Sequence, residues 1–208
     1  MSGNGRRLIA REGIPFLLSA LILTITGYIF LGVFVASLFA LLLLSCAFYF
    51  RDPVCELPSA PLAVLCPVSG RIDSIELTQD PWLERNSYKI RISMGLWDAH
   101  GLRSPIEGKV MKQWSTVDKD SQSGRQYAYW IKTDEDDDLV MSLNITCSHS
   151  YVEMTMVTGE RSGQGQRCGY IYPSGDIDIF LPDSAKLTVE VGNHVMAGSD
   201  ILGQFVRN

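Results

Sequence analysis

Hydrophobic and polar positions divide this 208-residue chain into two unlike stretches. From Ile14 to Phe50 no charged residue occurs and most positions are apolar. One membrane span takes about 20 apolar residues, so a run of this length suffices for two short ones. A secretory signal peptide, with an apolar region of only about 7 to 15 residues, is a poor fit. Gly27 and Gly32 flank Tyr28-Ile29-Phe30-Leu31 and mark where the run can bend. The pattern predicts a membrane-anchoring transmembrane helical hairpin over residues 1–50, with one long tilted helix as the alternative. Arg6, Arg7 and Arg11 precede the run and Arg51 follows it, which places both ends on the cytoplasmic side.

After Arg51 the period changes. Pro53, Pro58 and Pro61 keep residues 51–65 extended as a linker. Short apolar-polar alternations follow, at 70–77, 88–96, 108–115, 127–133, 139–146, 151–157, 176–181 and 186–191. Most are rich in Val, Ile, Tyr or Thr, and turn residues separate them. No amphipathic helical pattern of useful length appears. Residues 66–208 therefore read as an all-β domain, a compact barrel or sandwich. The segment "EVGNHVMAGSDILGQ" (190–204) is like the paired glycine turns that close a lipoyl-like barrel-sandwich.

Charge sharpens this division. The chain carries a net −5, made of +2 in residues 1–50 and −7 in the remainder. An acidic soluble part argues against nucleic acid as a partner, since such binding relies on basic surface. The run Asp134-Glu135-Asp136-Asp137-Asp138 lacks the ligand spacing and turn glycine of a calcium loop, so it reads as a solvated hairpin tip and no metal is expected. The cysteines at 46, 55, 66, 147 and 168 have no metal-type spacing and fit ordinary packing in a reducing compartment.

Two places invite chemistry. Asp98 and His100 stand at i and i+2, a spacing that on a strand puts both on one face. A carboxylate beside an imidazole orients it and raises its basicity, as a general base requires. The opposing interpretation is an edge-strand polar pair. His149, in "CSHSY", and His194, in a glycine turn, read as surface residues. Ser174, in "GYIYPSGDIDIFLP" (169–182), lacks the G-x-S-x-G pattern of a nucleophile elbow and reads as a turn serine.

The blocks "IAREGIPFLL" (9–18), "YFRDP" (49–53), "CPVSGRIDSIE" (66–76), "WDAHGLRSPIEGKV" (97–110) and "GYIYPSGDIDIFLP" occur in order over nearly the whole chain. In this it resembles the short bacterial and archaeal form of phosphatidylserine decarboxylase. The resemblance implies a lyase of phospholipid (phosphatidylethanolamine) biosynthesis at the cell inner membrane, its β domain on the cytoplasmic side. Its expected partners are the phospholipid membrane, a phosphatidylserine-type lipid and, as an open alternative, a second copy in a homo-oligomer. In this family a serine after a glycine attacks the glycine carbonyl, cuts the chain and becomes a pyruvoyl group. The pyruvoyl carbonyl takes up the lipid amine and the electrons released with carbon dioxide.

Residue by residue, the resemblance gives Asp98 and His100 the proton-transfer positions. It makes Arg103, Ser104 and Arg125 candidates for substrate binding. Ser69 stands where the family has aspartate. Gly198-Ser199 matches a closing glycine turn, not a cleavage site. With Gly169, Ile171, Asp178, Leu181 and Pro182 aligned without a gap, Ser174 falls on the family's glycine and Gly175 on its serine. Two readings follow. One is a working decarboxylase whose processing site has slipped, with Ser174 attacking Pro173 through a β-bulge. The other is a catalytically inactive relative, without cofactor, serving as a lipid-binding or regulatory scaffold. The missing hydroxyl at Gly175 weighs toward the second.

Overall fold

The uncharged run breaks at Gly32. A computed structural model of the chain describes residues 10–52, 55, 58, 60, 62–117, 125–145, 150–173 and 175–206. Its two units are Met1–Val54 and Cys55–Asn208. In the first, α1 (Ile14–Leu31) starts with Pro15 in its opening turn, where a missing N–H costs nothing. Gly32 follows with φ of 86°, a left-handed conformation that side chains disfavour, and α2 (Val33–Tyr49) runs back along α1. The Ala10 amide donates to the Phe50 carbonyl at 2.9 Å, and the Phe16 and Phe50 rings stack at 5.3 Å. Thr24 and Ser45 donate their hydroxyls to carbonyls one turn back, leaving little polar surface. Phe16, Ile22, Tyr28, Phe30, Phe34, Leu38 and Leu44 stay exposed. The stretch Arg11–Phe30 is long and apolar enough to cross a membrane; the apolar α2 is shorter.

The second unit is mostly β, as the alternation predicts. Its strands are β1 (Ala63–Leu65), β2 (Gly70–Gln79), β3 (Asn86–Ser93), β4 (Gly101–Arg103), β5 (Gly108–Val117), β6 (Arg125–Lys132) and β7 (Asp138–Ile145). They continue as β8 (Tyr151–Met154), β9 (Arg161–Ser162), β10 (Arg167–Tyr172), β11 (Asp176–Pro182), β12 (Lys186–Leu187), β13 (His194–Val195) and β14 (Ile201–Gln204). Eight strands, ordered β13-β2-β3-β11-β7-β6-β5-β9, make one curled sheet, an open half-barrel where the sequence suggests a barrel or sandwich. The sets β1-β14-β12 and β4-β10-β8 form two smaller sheets.

Cross-strand rows explain the large sheet. Ile72, Ile92, Ile177 and Leu143 line up across four strands, and Ile90, Ile179 and Met141 form the next row, all fully buried. Burying each such side chain contributes about 1.5–3 kcal/mol. On the other face Phe180, Val140 and Ala128 pack with Trp82, Leu83, Trp114 and Trp130. Beside them the buried Asp178 carboxylate accepts from Arg91 Nε at 2.8 Å, Arg91 Nη2 at 3.1 Å and Asn144 Nδ2 at 2.8 Å, with Lys89 Nζ at 3.4 Å.

The acidic run is a hairpin tip, but not all of it is solvated. Thr133 N bonds Asp137 O at 2.8 Å to close the turn. Asp138 is buried, accepting from Arg85 at 2.6 Å and Trp130 Nε1 at 2.7 Å. The segment 186–191 keeps only two strand residues, Lys186 and Leu187, and the chain turns at Gly192 (φ 92°).

Asp178→Ala is expected to lower stability by about 2–3 kcal/mol in urea denaturation, because it leaves two cations and an amide without their acceptor. Asp80, at the β2–β3 turn, titrates differently. Burial pushes its carboxyl above the ordinary value of 3.8, and hydrogen bonds from Trp82 and Leu83 only partly oppose this. A folded value above the unfolded one means Asp80 stabilises the fold below that unfolded value. The contribution is lost as pH rises through the folded value. In urea titrations at several pH values, Asp80→Asn should flatten this part of the stability profile.

Candidate functional site

The site is built where β10 leaves its small sheet and β11 enters the large one. β10 pairs with β8 through Tyr172↔Tyr151 and with β4 through Tyr170↔Gly101. Gly169 permits this. A Cβ there would sit 2.5 Å from the Glu153 carbonyl oxygen, 2.6 Å from Met154 Sδ and 3.0 Å from Leu102 Cδ1. The tyrosines of "GYIY" alternate, so Tyr170 and Tyr172 share a face, with ring centroids 6.0 and 6.3 Å from that of His100. The Ile171 amide donates to the His100 carbonyl at 3.0 Å, which ties the start of β4 to the middle of β10.

His100 is 1% exposed, and its Nε2 lies 2.7 Å from the carbonyl oxygen of Pro173. A carbonyl only accepts, so Nε2 carries the proton and polarises that C=O. Beyond Pro173 the strand is caught again, with the Gly175 carbonyl accepting from Met94 N at 3.2 Å. A Cβ on Gly175 would meet Ile171 Cγ2 at 3.3 Å. Position 175 therefore faces the same core as Ile177 and Ile179. Ser174 itself lies outside the described residues, as do His149 and Cys147.

Asp98 and His100 do not lie side by side on a strand. Residues 96–98 form a turn and β4 begins only at Gly101. The Asp98 carboxylate accepts from Gly95 N at 2.8 Å and stands 3.1 Å from His194 Nε2. It braces the turn while His100 is directed at Pro173. His194 is thus a surface residue, as the glycine turn implies, that also holds Asp98. Neither that pairing nor the Pro173 carbonyl has a local signal in the sequence, because each contact joins segments about a hundred or seventy residues apart.

The remaining candidates divide. Arg103 donates through Nη1 to the Gly165 carbonyl at 3.3 Å, and its backbone amide bonds Pro67 O at 2.9 Å. Ser104 is wholly buried, its hydroxyl donating to the Ile106 carbonyl at 2.8 Å. Arg125 is exposed at the start of β6, opposite Ile145 and one step beyond the row Gln126, Asn144, Asp176. Ser69 Oγ accepts from Ala197 N at 3.1 Å, and Gly198 turns with φ of 71°. Burial pushes the Cys66 and Cys168 thiols up to about 12, so neither is a nucleophile.

Comparison with known proteins accords with these motifs. The family described as phosphatidylserine decarboxylase matches residues 42–203. The chain is 32% identical over 207 residues to a phosphatidylserine decarboxylase proenzyme of Nitrosomonas eutropha, covering 95% of each. Proenzymes of the same name from Paraburkholderia xenovorans and Burkholderia ambifaria are each 34% identical, over 95% of this chain and 97% and 96% of theirs. No solved structure matches the chain.

Gly169→Ala tests whether the close approach of β10 positions His100. The added methyl is expected to cost about 1–3 kcal/mol. Urea denaturation reads that loss, and the chemical shifts of His100 should move with it.

Proposed function

Because the chain belongs to the phosphatidylserine decarboxylase family, we propose that it decarboxylates phosphatidylserine in phospholipid biosynthesis, after cutting itself between Pro173 and Ser174. The observation that carries this reading is the His100 Nε2–H donor 2.7 Å from the Pro173 carbonyl oxygen. That carbonyl precedes Ser174, the hydroxyl-bearing residue of the segment.

Attack by Ser174 Oγ on the Pro173 carbonyl carbon places negative charge on the oxygen that His100 already contacts. The acyl group passes from the Ser174 nitrogen to its oxygen, forming an ester. Loss of the Ser174 Cα proton then breaks the Cβ–Oγ bond and leaves Pro173 as a carboxylate. Water enters, nitrogen leaves as ammonia, and residue 174 becomes the pyruvoyl end of the smaller fragment. The segment is suited to this, since the contacts of Tyr172 and Gly175 hold the chain on either side of Ser174. Once formed, the pyruvoyl carbonyl supplies the electrophile for the lipid amine and a sink for the electrons released with carbon dioxide.

His100 holds a proton beside that position, and Asp98 braces the turn leading to it. Arg103 and Arg125 are assigned to the acidic groups of the lipid head, and Ser104 to fixing the backbone beside Arg103. Residues 1–50 anchor the chain in the cell inner membrane as a hairpin, 51–65 link, and 66–208 act on the cytoplasmic side. The uncharged run and its exposed apolar side chains support the anchor.

A scaffold without activity is the second reading, favoured by Gly175, which has no hydroxyl at the family's serine position and faces Ile171. Intact-mass analysis separates the two. Fragments meeting at Pro173 and residue 174, the smaller reactive with hydroxylamine, would sink the scaffold reading. A single chain of 23.1 kDa would sink self-processing. If cleavage occurs, His100→Ala should slow it by about 10²–10³-fold, the usual effect of losing an oxyanion donor.

A further inference from the structure

The turn that carries Asp98 also carries Leu96 and Trp97, which are 56% and 68% exposed. Two large apolar side chains exposed next to each other at a loop tip gain little from folding and offer an apolar surface to a partner. The loop is not slack. Asp98 N donates to the Gly95 carbonyl at 3.2 Å, the Asp98 carboxylate accepts from Gly95 N, and Met94 N donates to the Gly175 carbonyl. Met94 through Trp97 are uncharged, and the Asp98 carboxylate behind them faces the His194 imidazole. The tip residues Met94 to Trp97 can therefore leave water without burying a charge of their own. Tryptophan favours the boundary between lipid head groups and acyl chains, because its ring is apolar with one N–H.

We propose that Leu96 and Trp97 insert into the head-group region of a phospholipid bilayer and dock the His100 site onto it. The proposal rests on the lipid-decarboxylase reading for its choice of partner. A diacyl lipid has to bring its head group to a 1% exposed imidazole, and the apolar tip lies three and four residues from that imidazole in the chain. Insertion shortens the distance the head group must rise out of the membrane.

The four tryptophans, at 82, 97, 114 and 130, all lie outside residues 1–50, so their emission reports the β domain and not the anchor. Full-length protein is reconstituted into vesicles of phosphatidylcholine and phosphatidylserine, with plain or dibrominated acyl chains. Bromine is expected to quench part of the wild-type emission, and that part should be absent in Trp97→Phe. Equal quenching in both proteins, or none, overturns the proposal. So does Trp97 emission that is shielded in lipid-free detergent and varies with protein concentration, which would make the face a contact between two copies. Leu96→Ser/Trp97→Ser should leave self-cleavage unchanged. It should slow turnover of vesicle-embedded phosphatidylserine by about tenfold, equivalent to about 1.4 kcal/mol, and spare a short-chain, monomeric form of the lipid. Equal slowing on both forms overturns the docking role. An uncleaved chain overturns the decarboxylase reading, whereas the quenching measurement judges docking on its own.

Discussion

β11 lies between β3 and β7, and the register of that strand decides where every residue near the site points. Ile177 and Ile179 enter the core, while Asp178 turns to the other face and meets Arg91, Lys89 and Asn144. A slip of one residue would push the carboxylate into an apolar row and take both isoleucines out of their rows, toward the polar partners of Asp178. Burying an unpaired carboxylate costs several kcal/mol, and losing two buried isoleucines costs a comparable amount. The register is fixed from both faces, and with it the facing of Gly175.

That constraint defines the tension in this chain. The family order, glycine then serine, would put a hydroxyl at 175 on the core side next to Ile171. Here the hydroxyl is one residue earlier in the sequence, and His100 contacts the carbonyl of the residue just before it, Pro173. A donor fixed on the Pro173 carbonyl serves an attack from residue 174 and has no evident use for one from 175. This adjacency is why the chemistry is proposed at Pro173-Ser174, although the aligned position is empty of a nucleophile.

Much of the fold was legible in the sequence. The eight alternating segments all became strands, and the uncharged run became two helices broken at Gly32, one of the two glycines that marked the bend. The ends of elements were less legible. The segment 88–96 lost its last three residues because Gly95 and Asp98 close a turn, and the strand after 186 ended at Leu187. Periodicity reports which side chains favour one face; it does not report where a side-chain hydrogen bond ends the strand. Asp138 illustrates the same limit, since five acidic residues in a row give no sign that the last is buried between Arg85 and Trp130.

By itself the sequence determined the apolar hairpin, the β character of the rest, the family, and the exchange of Ser174 and Gly175. These depend on composition, period and motif order, all of which are local. Tertiary structure alone decided that Asp98 braces a turn with His194, that His100 is directed at Pro173, and that Leu96 and Trp97 stand exposed beside them. Each of these results from strands far apart in the chain meeting in one register. No local pattern encodes such a meeting, because it is the packing of whole sheets that fixes it.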